Sequence, residues 1–131
     1  MNRAEFKRLV EEGVDLVPEE FLKKLENVAI VIEDEPSDFQ KKSARIGEGS
    51  LLLGLYEGVP KTKRRANYGM TLPDKITIFQ KPIESLAASP EAIRETVKNT
   101  IWHEIAHHFG SGEEGARAAA RYQGEKTKNK I

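Results

Sequence analysis

Cysteine is absent from all 131 residues, which excludes disulfides, thiolate nucleophiles and cysteine-held metals, and leaves packing and non-sulfur ligands to stabilise the chain. Net charge is absent as well. Lys plus Arg and Asp plus Glu both total 21, so no overall field draws the chain toward nucleic acid or an anionic membrane. Apolar runs long enough to cross a bilayer are lacking, and Met1 to Gly13 carries too many charges for a secretory signal. These absences predict a cytoplasmic protein with neither membrane nor nucleic acid as a partner. The basic stretch Lys61, Lys63, Arg64 and Arg65 has only Tyr68 as a neighbouring aromatic, so it reads as a solvated loop. Gly47, Gly49 and Gly58 form no phosphate-cradling pattern. What remains, 38% hydrophobic and 32% charged residues, is the composition of a globular protein. The length fits a single domain, drawn at 1–125, followed by a basic tail at 126–131.

The periodicity that is present predicts an α+β fold. Asn2 to Glu12 and Pro18 to Glu26 place Phe6, Leu9, Val10 and Phe21, Leu22, Leu25 at helical spacing. Val28 to Glu33 is β-branched and bounded by turn residues, and Leu51 to Tyr56 and Lys75 to Gln80 look like two further strands. Ser37 to Ser50 is polar, carries glycine and has no period, so a loop is expected there. Ser89-Pro90-Glu91 opens a long helix with a serine cap, a proline at the first position and an early carboxylate, and Gly110 and Gly112 can end it. Along that helix Ile93, Val97, Ile101 and Ile105 form an apolar stripe, extended by Trp102 and Phe109. Arg94 and Lys98 interrupt it as snorkelling side chains. His108 projects onto the stripe and is expected to be a core or supporting residue, while small Ala106 leaves room beside His103 and His107.

Residues 103–110 read H-E-I-A-H-H-F-G. Residues four apart on a helix lie on one face, so the imidazoles of His103 and His107 can reach one ion at about 2.0–2.1 Å. Glu104, beside the first ligand, is placed to take a proton from an activated water and pass it to a leaving amine. Three protein ligands and a water are usual at a catalytic zinc. If the chain turns after Gly110, Glu113 can supply the third, with Glu114 the adjacent alternative. The resulting pattern, H-E-x-x-H-x-x-G-x-x-E, resembles the metzincin arrangement, but the methionine that follows the third ligand there is lacking, since Met1 and Met70 both precede the motif.

Five blocks extend the likeness over most of the chain: Leu16 to Phe21, the strand Val28 to Glu33 with Pro36 after it, Gly54 to Pro60, Leu72 to Phe79, and His103 to Gly110. In this order they resemble the small bacterial zincin-like metallopeptidases, a minimal zincin-like domain. The resemblance implies a compact α+β domain with a small sheet of about three or more strands, flanking helices, one long H-E-x-x-H helix and bound Zn2+. In that family the position of Glu113 is typically aspartate, so this chain departs at the third ligand. The expected activity is zinc-dependent peptide-bond hydrolysis with His103, His107 and Glu113 as ligands and Glu104 as general base. The alternatives are a non-catalytic, regulatory zinc-binding domain and a zinc hydrolase of non-peptide substrates. The expected partner is a peptide or protein substrate lying along Lys75 to Gln80 as the sheet edge, in a shallow cleft, with Tyr56, Arg65 or Tyr68 as oxyanion donor and a monomer assumed.

Overall fold

The computed structural model describes residues 1–47, 49–58 and 73–109. Helix α1 (Arg3–Asp15) is capped by the Asn2 side chain, which accepts a hydrogen bond from the Glu5 N–H, and it buries Phe6, Leu9, Val10 and Gly13 at helical spacing. The short α2 (Glu19–Leu22) runs into a 3-10 turn at Lys23–Leu25, and β1 (Val28–Glu33) follows with the boundaries its β-branched run predicts. Helix α3 (Asp38–Ser43) stands where a loop was expected. Its signal is the capping box Ser37-x-x-Gln40, in which each side chain bonds the other residue's backbone N–H. After it come β2 (Gly54–Glu57), β3 (Asp74–Phe79), α4 (Gln80–Leu86) and α5 (Pro90–Phe109), the last 20 residues long. Sequence periodicity did not predict α4.

The three strands are ordered β1-β3-β2, with β1 parallel and β2 antiparallel to β3. This corrects the expectation for Lys75 to Gln80. That segment is the central strand, hydrogen-bonded on both sides, and Gln80 already belongs to α4, so β3 has no free edge for a substrate. Ile76, Thr77, Ile78 and Phe79 are all fully buried, as a middle strand requires. Among the described residues the edge strands are β1 and β2.

One face of the sheet packs against α1 and α5, where Ile76 and Ile78 meet Phe6, Leu9, Val97 and Ile101 in the main core. The stripe predicted on α5 is the buried one: Ile93, Val97, Ile101 and Ile105 are each at most 2% exposed. Burying four such side chains contributes roughly 6–12 kcal/mol before the entropy of ordering them. Trp102 is half-buried against Phe21, with ring centroids 5.5 Å apart. Arg94 and Lys98 keep their heads in ion pairs with Glu12 and Glu95. Ala106 is itself a core residue, so it does not open space at the site. On the other face of the sheet a smaller cluster joins Leu52, Leu55 and Phe79, with Ala44 and Ile46 packed on it. Gly13 allows α1 and α5 to approach closely, since a Cβ there would lie 2.9 Å from the Arg94 carbonyl oxygen.

Among the described residues no helix is long and apolar enough to cross a membrane.

Candidate active site

Helix α5 brings His103, Glu104 and His107 to the side of edge strand β2. A second close approach makes this possible. Gly54 opens β2, and a Cβ at that position would lie 2.6 Å from Thr100 Cγ2, so only glycine lets strand and helix come this near without a shift. Two residues on, the Tyr56 N–H points away from β3 and donates to Glu104 Oε1 at 2.8 Å. The register explains the direction. Phe79 N–H bonds the Leu53 carbonyl, and alternation along an antiparallel ladder turns Leu55 toward β3 as well, leaving Gly54 and Tyr56 to face outward.

Burial raises the pKa of the Glu104 carboxyl, and the Tyr56 N–H opposes that rise by favouring the charged form. His103 moves the other way. Burial lowers its pKa, with the neighbouring His107 adding to the effect, and its ring lies 4.3 Å from that of His107 between centroids. Buried Nδ1 of His103 has no hydrogen-bond partner among the described residues. Two imidazoles one helical turn apart, one of them kept neutral and with an uncommitted nitrogen, fit a borderline divalent cation such as zinc. Glu113 and Glu114 lie outside the described residues, as do Arg65, Tyr68, Gly110, Gly112 and the basic tail. Within the described residues no group of three His, Asp or Glu side chains surrounds a common point.

A family comparison decides the kinship: the model of the zincin-like metallopeptidases matches residues 25–121. The chain belongs to the zincin-like metallopeptidase family. A search of curated proteins finds no match to this chain. Membership supports a metallopeptidase-type function in general, and zinc is the metal on which such proteins typically depend.

Two features of this zincin-like site were missed from the sequence. His108, expected on the core stripe, is exposed and stacks on Tyr56 with centroids 3.7 Å apart and planes 16° from parallel. The last turn of α5 therefore presents it to β2 instead of the core. Tyr56, one of three residues offered as an oxyanion donor, donates its hydroxyl to Asp74 Oδ2 at 2.6 Å. The tyrosine ties three parts of the site together. Its ring holds the end of α5, its phenol is tied to the start of β3, and its backbone fixes Glu104.

Beside Glu104 and His103 lies a cavity of about 320 Å³ whose other walls include Ile46, Leu51, Leu52, Leu55 and Thr100. The side chains around it are mainly aliphatic. Sequence reasoning expected a shallow cleft here and assigned the α3 loop no part in it.

Proposed function

We propose that this protein hydrolyses peptide bonds with Glu104 as general base and His103 and His107 as metal ligands. Glu113 is the third ligand in this reading. The observation that carries it is the position of Glu104, a half-buried carboxylate held at 2.8 Å by an outward N–H of an edge strand and set beside two neighbouring histidines. Zinc in that place supplies a Lewis acid and a water of lowered pKa.

The chain's own groups do the rest. The Tyr56 N–H fixes one Glu104 oxygen, so the carboxylate is oriented before substrate arrives. Burial raises its proton affinity, which suits a group that must take a proton from the attacking water and deliver it to the leaving nitrogen. Among the described residues, the sheet edge nearest the site for a substrate in extended form is that of β2, where the Gly54 carbonyl faces outward. The aliphatic cavity next to Glu104 then takes a large apolar side chain flanking the scissile bond.

Zinc content of the purified protein, measured with His107→Ala and Glu104→Gln alongside, tests the reading. The expected result is one zinc per chain, lost in His107→Ala and kept in Glu104→Gln, together with peptide hydrolysis reduced about 10²- to 10⁴-fold in Glu104→Gln. Zinc retention with equal, background cleavage in wild type and Glu104→Gln would favour the non-catalytic zinc-binding alternative.

A further inference from the structure

The opposite edge of the sheet carries a second feature. Between α1 and β1 runs a groove of about 550 Å³, floored by Val10 and Val14 of the helix and Ile30 and Ile32 of the strand. Its rim is a single helical row, Arg3, Lys7, Glu11 and Asp15, each four residues after the last. The signs along that row run plus, plus, minus, minus. This order is the reverse of what a helix dipole favours, since cations belong near the C-terminus and anions near the N-terminus. Arg3 is held within the chain by an ion pair with Asp34 and a hydrogen bond to Gln80, and the three charges after it have no such partner. Among the described residues Lys7, Glu11 and Asp15 form no ion pair, and the last turn of α1 has no basic residue.

Strand β1 on the floor of this groove is an edge strand. Asp74 N–H bonds the Asn27 carbonyl, so alternation turns Ala29, Val31 and Glu33 toward β3 and leaves the backbone groups of Val28, Ile30 and Ile32 facing away. The Ile32 carbonyl accepts from Arg3 Nη1 at 3.2 Å, which blunts that end of the edge. Val28 and Ile30 remain without a strand beside them among the described residues.

We propose that this face is a two-fold interface with a second copy of the chain. A plus-plus-minus-minus row is self-complementary when two copies lie antiparallel. Lys7 then meets the partner's Glu11, and the same contact repeats across the axis, while Arg3, which keeps Asp34 in its own copy, lies opposite the partner's Asp15. The two edges pair antiparallel with Val28 opposite the partner's Ile30. That register forms four backbone hydrogen bonds and leaves the Arg3 contact to Ile32 intact. Helix and strand agree on where the axis falls. Helix α1 starts at the end of β1 where Arg3 reaches Ile32 and runs back over the strand. The middle of the charged row is about 9 Å along α1 from Arg3, and about 9 Å back along β1 from Ile32 lies close to Ala29, the centre of the strand register. Paired in this way the sheets form one of six strands, with β2 and the Glu104 cleft of each copy at its outer ends.

Sedimentation analysis of the intact protein and its charge-reversed variants tests this. Lys7 and Glu11 are both exposed, and each reversal moves the helix toward its dipole preference or removes an unpaired charge, so the variants should fold. The wild type is expected to be a dimer at low salt. Lys7→Glu alone and Glu11→Lys alone should each raise the dimer dissociation constant about tenfold or more, by facing like charges across the axis. An equimolar mixture of the two should restore dimers, as should the chain carrying both changes, and the differences should shrink in about 1 M salt. A wild type that stays monomeric at high concentration overturns the proposal, and so does a dimer whose affinity neither reversal alters.

Discussion

Glu104 and His103 sit side by side with their proton affinities moved in opposite senses by the same cause, burial. Each favours its neutral form in the fold. For Glu104 the folded pKa lies above the unfolded one, so its contribution to stability is full below the ordinary carboxylate range and is lost as pH rises through the folded value. For His103 the folded pKa lies below the unfolded value, so between the two the unfolded chain binds more protons and stability rises with pH. Glu104→Gln should therefore make the metal-free protein more stable than wild type at pH 7, with the difference closing as pH falls into the acid range. Denaturant midpoints at several pH values would check this, and a gap that widens on acidification would contradict it. Gly54 gives a second test at this scale. Gly54→Ala puts a methyl group 2.6 Å from Thr100 Cγ2, which should cost about 1–3 kcal/mol in unfolding free energy and reduce peptide hydrolysis by drawing the Tyr56 N–H off Glu104. Thr100→Ser removes the clashing carbon, so the double variant should recover much of both losses. The histidines and Glu104 were legible in the sequence because four-residue spacing is a property of the helix itself. The bond from the Tyr56 N–H to Glu104 was not legible there, since it depends on a strand register that only the pairing with β3 sets.

Among the elements, α5 was the most legible: cap, proline and stripe all lie within one stretch of chain. Helix α3 was less so, because six residues offer no period, although the Ser37 and Gln40 pair marked its start. Its end is also informative. Ile46 N–H bonds the Lys41 carbonyl and Arg45 N–H that of Lys42, the pattern of a left-handed helix end, and Arg45 occupies it with φ of 58°. Glycine adopts that conformation without strain. Arg45→Gly should therefore stabilise the protein by about 0.5–1 kcal/mol, read from the unfolding midpoint, with no change in fold. The strand placed at Lys75 to Gln80 was real, but its neighbours could not be read locally. A continuous apolar run such as Ile76 to Phe79 marks a strand covered on both faces, and that signal argued for the centre of the sheet.

At the scale of the molecule, one core serves every helix and strand that positions the site. Ile101 lies at 0% exposure within it, two residues before His103. Ile101→Ala should cost about 2–5 kcal/mol and weaken zinc binding in proportion to the population it unfolds, measurable as a matched fall in thermal midpoint and metal content. The order β1-β3-β2 has a further consequence, for how the chain acquires its fold. The two strands made first share no hydrogen bonds with each other. Until residues 74–79 have been synthesised and slotted between them, β1 and β2 have no sheet to join, and the helix that bears the histidines comes later still. Among the described residues, nothing before Pro73 pairs two strands of the sheet. Folding of this protein should therefore be a late, all-or-none event in which the corner that holds the histidines and Glu104 appears together with the core.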